Sequence, residues 1–416
     1  MKRRVVITGM GIWSCIGQNL QVVTESLKHG KSGIIFDSKR IEAGLQSGLV
    51  GNVEKPDLKK HLSREDRVLM TNDAAFAYMA ARQAIEQAAL TSDYLQQNEM
   101  GIIFGEDGNS EHVADIYKNI GNPQGIAQIN PFAWARFNSS GCNIALAGLL
   151  HLKGVSFTVG AACASSSHAI GIGYTYIQSG LQKLILVGGT CEVEETSSAA
   201  ADAIDAISQR NNNPIRASRP FDKDRDGMVP SGGAAALILE EYEHAKARGA
   251  TILAEVCGYG FSSNGHDEIS MPSANAEYIA MKRALDDAGL QPSDIDYVNA
   301  HGTSTPVGDI EEAKALTRLF VSSSASRLSR VSRPLISSTK SMTGHENWMA
   351  GASEAVYSIL MMQNNFVAPN INLENKIDEA KDLNIVSETV YTPIRTVLSN
   401  SSGMGGTNSA LVFHKI

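Results

Sequence analysis

Paired cysteines, long apolar runs and clustered basic residues are all scarce in this 416-residue chain. Its five cysteines, Cys15, Cys142, Cys163, Cys191 and Cys257, are an odd number, lie far apart and include no C-x-x-C pair. That spacing argues against a disulfide framework or a cysteine zinc site and suits a reducing cytoplasm. No stretch approaches the ~18 apolar residues a membrane-spanning helix needs, so membrane insertion is not expected. The longest basic run is Lys2-Arg3-Arg4, and the net charge is −8, so no nucleic-acid footprint is present. Those three residues precede VVITGMGI as they would in a signal peptide, but the apolar run is short and glycine-broken and reads as a first strand.

What remains is a globular chain, 43% apolar and long enough for two ordinary domains or one large α/β unit. A strand is expected over Arg4–Thr8, ending at Gly9-Met10-Gly11. That glycine pair only faintly resembles a dinucleotide fingerprint, because Ser14 stands where its third glycine belongs. Helices are expected over 20–29, 63–89 and 139–152, the second opened by a loose Ser63-x-x-Asp66 capping box, and a strand over 100–104. Lys183–Gly189 and Ala234–Leu239 read as strands buried on both faces. Residues 206–233 between them are polar and turn-rich, either a functional loop or a solvated connector. From Thr251 the pattern begins again: strand 252–259, helix 274–288, strand 295–300, helix 310–319, strand 335–338, helix 348–363 and a final strand pair around 400–407. This order predicts an α/β protein of two pseudo-repeated halves, 1–250 and 251–416, with a site where strand ends from both halves meet.

The stretch FTVGAACASSSHAIGIGYTYIQSG places Cys163 between a β-branched strand and a helical pattern beginning at Ala164. Free N–H groups and the positive end of a helix favour thiolate over thiol, which would make Cys163 a nucleophile. The alternative is a cysteine packed as a small hydrophobe. Three further loops follow apolar strands. Asn299–Pro306 (NAHGTSTP) presents His301. Ser338–His345 (STKSMTGH) presents Lys340 and His345, with Glu354 on the next helix to orient or neutralise the lysine. Ser399–Asn408 (SNSSGMGGTN) supplies glycine turns whose exposed N–H groups suit an oxyanion hole. Each has an ordinary reading by itself: a structural histidine, a charged surface loop, a common turn.

Together, from VVITGMGI through AACASS, SRPFDKDRDG, NAHGTSTPVGD and STKSMTGH to GGTNSALVF, they resemble the β-ketoacyl-acyl-carrier-protein synthases, the condensing enzymes of fatty-acid and polyketide synthesis, of the elongating Cys-His-His type. MKRRVVITGMGI and LNIVSETV are most similar to the synthase I group. The resemblance implies a thiolase-like fold in five layers, αβαβα. It implies that Cys163 accepts an acyl chain from the phosphopantetheine of acyl carrier protein, and that His301 and His345 bind the malonyl thioester carbonyl and stabilise the enolate formed on loss of CO2. Lys340, paired with Glu354, would hold the protonation state of the histidines. Backbone N–H groups of Cys163 and Met404 would form the oxyanion hole, in a loop turned by Gly403 and Gly405, and Thr303 and Thr305 would contact pantetheine. No metal or organic cofactor is implied. The partners implied are acyl carrier protein and a second copy in a homodimer, or a silent chain-length-factor subunit in a heterodimer.

The chain departs from the family pattern in three places. Ser402 and Met404 occupy the two aromatic positions of SNSFGFGGTN, the second of which is the gate that admits the acyl chain. Methionine is softer than phenylalanine, so altered acyl selectivity is expected. Glu346-Asn347-Trp348 replaces the Ser-Leu-Gly common after the second histidine. The Lys and Arg that relatives present to the carrier protein fall on Asp66 and Leu69, leaving Arg64 and Arg67 nearby, with Arg136 and Arg210 as further candidates. A degradative thiolase would need a second cysteine near the C-terminus, where the last here is Cys257, and a chain-length factor would lack the nucleophile. A ketosynthase of a specialised polyketide or aryl polyene pathway stays open beside fatty-acid elongation.

Overall fold

The computed structural model describes residues 2–108, 110–193, 195–265, 272–322 and 333–416. Five strands come from the first half of the chain: β1 (Val5–Ser14), β2 (Gly101–Gly105), β3 (Ser156–Val159), β4 (Leu184–Cys191) and β5 (Gly233–Glu241). Five come from the second: β6 (Ala254–Ser263), β7 (Tyr297–Asn299), β8 (Leu335–Ser337), β9 (Thr396–Gly403) and β10 (Thr407–His414). The first set runs β3-β2-β4-β5-β1 and the second β8-β7-β9-β10-β6, the same order. Directions repeat too: β2 is parallel to β3 and β4, with β5 and β1 antiparallel additions, as β7 is parallel to β8 and β9, with β10 and β6 antiparallel additions. The two five-stranded parts join edge to edge where Val5–Ile7 pairs with Ala254–Val256.

The repeat extends to single residues. α1 (Asn72–Gln87) lies on β1, and α4 (Ala274–Ala288) lies on β6. A Cβ at Gly9 or Gly11 would sit 2.0 Å from the carbonyl oxygens of Ala84 and Ala80, and one at Gly258 or Gly260 would sit 2.2 or 2.1 Å from those of Ala284 and Ala280. The Gly-x-Gly pairs therefore let helix backbone approach strand backbone. They are not a turn after Thr8: β1 continues through both glycines to Ser14, because the absent side chains are what the helix requires.

α2 (Gly141–Leu150) packs with α1 on the outer face of the first half, and α5 (Gly308–Thr317) packs with α4 on the outer face of the second. Between the two half-sheets lie α3 (Ser165–Ser179) and α6 (Ala350–Asn364), each touching strands of both halves and each other. The layers are thus α, β, α, β, α. Their order explains α6, whose residues 350–362 are all buried, because it has no solvent face to expose. Three hydrophobic cores fill the spaces: one around Ala80, Ile102 and Leu146, one around Met281, Val298 and Leu316, and a central one joining Val187 and Leu237 to Val356, Val397 and Phe413.

The helix expected over 63–89 is in two pieces. A 3-10 turn covers Asp66–Leu69, Met70 is extended, and α1 starts after Thr71, whose hydroxyl accepts from the Ala74 N–H at 3.1 Å. A better cap downstream ends the first helical turn early. Residues 206–233 are more than a solvated connector. Ser218, Arg219, Phe221 and Asp222 are buried, and they tie the first half of the chain to the second. Among the described residues, no helix is long and apolar enough to cross a membrane.

Candidate active site

Parallel strands end on one side of a sheet, so β7, β8 and β9 deliver the loops bearing His301, Lys340 and Met404 to a common edge. β3 brings Cys163 to the same place from the other half. The thiol stands in a 3-10 turn, Ala162–Ala164, two residues before the start of the helix at Ser165. Ala162 has φ +46, a strained conformation for a residue with a Cβ. Three bonds hold it. The Ala162 N–H donates to Asp107 Oδ2 at 2.7 Å, the Ser165 hydroxyl donates to the Ala162 carbonyl at 2.6 Å, and the same hydroxyl accepts from the Ala161 N–H at 2.8 Å. A Cβ on Gly403 would meet the Ala161 carbonyl at 2.6 Å, so the glycine loop closes directly over this turn.

Cys163 is half-buried, and burial pushes its thiol up from the usual value. The Met404 N–H, the charge of Lys340 and its own N–H act the other way without overcoming burial. The pull toward thiolate expected from the helix end is present but is outweighed by burial. Desolvation outweighs the helix end until a substrate alters the surroundings.

His301 and His345 meet edge to face, ring centroids 5.4 Å apart. Burial first, then Lys340, holds both well below the usual imidazole range, and His345 adds to the effect on His301. Both rings are neutral. The Asn347 N–H lies 3.2 Å from His345 Nδ1, and the Lys340 ammonium, a donor only, lies 3.5 Å from His301 Nδ1. Each Nδ1 is thus the acceptor, and each Nε2 carries the proton and can donate to a carbonyl oxygen.

The supports of these rings are mostly backbone. The His345 N–H donates to the Val229 carbonyl at 2.7 Å and its carbonyl accepts from the Ser231 N–H at 2.9 Å. The Glu312 carboxylate accepts from the N–H groups of His301 at 2.7 Å and Gly302 at 2.6 Å, and from Asn400 Nδ2 at 2.8 Å. Lys340 pairs with Glu354, both 1% exposed, and burial pushes the Glu354 carboxyl up to about 7 against the pull of the lysine. Ser167 of α3 is the surface on which Gly351 of α6 rests, and the Ala352 N–H donates to Ser166 Oγ at 3.0 Å. The helix after Cys163 and the helix bearing Glu354 are therefore locked together.

Thr303 and Thr305 lie on the His301 loop with their hydroxyls 2.8 Å apart. Met404 is 53% exposed at the mouth, and Gly405 has φ +89, a turn that favours glycine. Arg64 is exposed, and Arg67 donates to the Ser63 carbonyl at 3.1 Å. Arg136 lines a surface groove with Lys118, Met70 and Asn72. Arg210 is elsewhere, in the 206–233 loop beside Asp226 at 3.4 Å.

Sequence reasoning missed the buttress. The buried Arg219 N–H donates to Ser304 Oγ at 3.0 Å, the Phe221 N–H to Asp309 at 2.7 Å, and Ser218 Oγ to the Lys340 carbonyl at 2.7 Å. Asp107 and Glu312 also went unnoticed, and Asn347 was marked only as a departure from the family pattern, not as a donor to His345. A single acid on a helix or loop carries no pattern to mark it.

Residues 2–245 match the family described as beta-ketoacyl synthase, N-terminal domain, and residues 253–374 its C-terminal domain. The 3-oxoacyl-[acyl-carrier-protein] synthase 1 of Haemophilus influenzae is 40% identical over 416 residues, covering 99% of both chains, and that of Escherichia coli is 40% identical over 420 residues, covering 100% of this chain and 99% of the other. A beta-ketoacyl synthase structure from Burkholderia phymatum superimposes with a TM-score of 0.90 at 34% identity, covering all of both chains. The ishigamide ketosynthase/chain length factor gives 0.89 at 30%, again over both whole chains. With family descriptions spanning most of the sequence and relatives matched end to end, this chain belongs to the β-ketoacyl synthase family.

Proposed function

We propose that this protein carries out the decarboxylative Claisen condensation of fatty-acid elongation, joining an acyl chain held on Cys163 to the two carbons left by malonyl-acyl carrier protein. The observation that carries the reading is a pair of edge-to-face imidazoles with their Nδ1 atoms engaged as acceptors, beside a Lys340 whose charge also acts on the half-buried Cys163 thiol of the strained turn.

In the first step Cys163 Sγ attacks the acyl thioester carbonyl. The oxyanion is received by the N–H groups of Cys163 and Met404, the carrier thiol departs, and it takes up the proton lost by Cys163. In the second, His301 and His345 donate to the malonyl thioester oxygen. The carbon–CO2 bond breaks, its electron pair enters the enolate, and the enolate carbon forms a bond to the acyl carbonyl on Cys163. The sulfur leaves as thiolate and regains a proton from water. The products are 3-oxoacyl-acyl carrier protein and CO2. Decarboxylation supplies the carbanion, so neutral donors suffice and no strong base is needed. Lys340, with Glu354 behind it, keeps His301 neutral. The steps as written use neither metal nor organic cofactor. Thr303 and Thr305, whose hydroxyls are 2.8 Å apart on the His301 loop, are the proposed contacts to pantetheine.

Acyl carrier protein is the proposed partner, received near Arg64, Arg67 and the groove holding Lys118 and Arg136, where basic groups suit an acidic carrier. A solved relative, 29% identical over both full chains with a TM-score of 0.87, is described as a type II polyketide acyl-carrier protein in complex with its ketosynthase. A homodimer is proposed through β3, the end strand of the sheet, whose open edge can pair with a second copy. A second reading, a ketosynthase of a specialised polyketide pathway with a silent partner subunit, is favoured by Met404 and Ser402 at the site mouth. The test is intact-mass analysis after incubation with a panel of acyl-carrier proteins. Acyl adducts on the protein that vanish in Cys163→Ala support the reading, and no adduct from any chain refutes it.

A further inference from the structure

Glu277 of α4 is 3% exposed, and its Oε2 has no hydrogen-bond partner among the described residues. α4 packs against both α5 and β9, and the groups acting on the Glu277 carboxyl come from those two elements: the carboxyl of Glu312 on α5 first, the hydroxyl of Ser402, two positions before Met404, and then Glu311 and Asp309. Glu312 is the clamp on His301 and Gly302, and it also receives Asn400. Asn400 and Ser402 are two apart on β9 and so project from one face of the strand. The side chains from that face meet two neighbouring acids, one at the mouth and one at the histidine.

We propose that Glu277 is a positioning residue that ties the mouth strand at Ser402 to the Glu312 clamp on His301, so that movement at Met404 and the placement of the histidine are linked. The inference rests on the condensation reading above. Two carboxyls side by side in a dry site cannot both ionise, and one must keep a proton. Burial pushes the Glu312 carboxyl up as well, but against it stand donors that favour a charge: Asn400, two backbone N–H groups and the field of Lys340. Glu277 has only Ser402, while burial, Glu312, Glu311 and Asp309 all push it well above the usual range. Arg225, 3.4 Å from Asp309, is the cation on that side. The proton therefore sits on Glu277, whose neutral carboxyl lets Glu312 keep its hold on His301. Ionising Glu277 sets two negative charges against each other and loosens both ends of the tie.

The test uses the full-length protein with acyl- and malonyl-carrier protein, following Cys163 acylation, malonyl decarboxylation and condensation from about pH 6 to 10. Glu277→Gln, which stays neutral, should condense within about twofold of wild type near neutrality and retain activity at alkaline pH where wild type declines. Glu277→Leu should slow malonyl decarboxylation about tenfold, a loss of the size such couplings reach, with a circular-dichroism spectrum and melting curve showing that it folds. Ser402→Ala combined with Glu277→Leu should add nothing further to the single change. A Glu277→Gln profile identical to wild type, or strictly additive effects in the double variant, overturns the inference. An inactive wild type sinks the condensation reading instead, so the two failures are distinct.

Discussion

Replacing Glu346 by glutamine removes one proton-binding site from the middle of the protein and changes little else. The side chain is 1% exposed, accepting from Ser353 Oγ at 2.5 Å and from the Tyr357 hydroxyl at 2.8 Å. Burial pushes its carboxyl up to about 8, against those two donors and Lys340. In the unfolded chain it titrates near the ordinary 4.5. Because the folded value is the higher one, the stability it contributes is complete below about pH 4.5 and is lost as pH rises toward 8, when the unfolded chain ionises and the folded one does not. A shift of roughly three and a half units at 1.36 kcal/mol each makes that loss about 5 kcal/mol. Glu346→Gln does not titrate. Urea unfolding at intervals from pH 5 to 8 should show wild type losing stability relative to the variant by about 3 kcal/mol across this range. Parallel stability curves would refute the placement of a protonated acid there. His301 and His345 work in the opposite sense, being neutral when folded, and their effect cancels in the difference because both proteins contain them.

Lys340→Met removes the cation that, after burial, contributes most to holding both histidines neutral. Their pKa values should rise, and condensation, flat from pH 8 to about 6 in wild type, should fall toward the acid side; an unchanged profile would count against the tautomers assigned above. Asp222→Ala leaves buried Arg219 and the N–H groups of Asp224, Glu374 and Asn375 without their shared acceptor. A loss of about 3–5 kcal/mol in denaturant unfolding is expected, and a loss under 1 kcal/mol would contradict the buttress. Met404→Phe should alter the dependence of rate on acyl length, measured with carrier proteins bearing graded chains, and an identical dependence would remove Met404 from selectivity.

The repeat was legible because it is written in periodicity: strand 295–300 and helix 274–288 lie close to β7 and α4 as found. The site was legible because Cys163, His301, Lys340 and His345 each stand just past an apolar strand, and parallel strands share an end. The glycines of β1 were misread because a turn and a close helix approach both call for glycine, and only the partner Ala80 and Ala84, some seventy residues away, distinguishes them. The split at Met70 was lost because Ser63 and Thr71 are both competent caps, and propensity does not rank them. The burial that opposes ionisation of Cys163 was not legible, because a helix end is visible in sequence and burial is not. Glu312 and Asp222 escaped for the same reason. What makes each important is the set of N–H groups that folding gathers around it.

That one thiol and two neutral imidazoles carry out condensation is tested by stoichiometry. Protein pre-acylated on Cys163 is mixed with malonyl-acyl carrier protein, and CO2 and 3-oxoacyl-acyl carrier protein are counted together. One of each is expected per acyl group consumed, with no 3-oxoacyl product from Cys163→Ala and a slowed release of CO2 from His301→Ala and His345→Ala. Condensation that persists in Cys163→Ala, or CO2 release unaffected by both histidine changes, would contradict it.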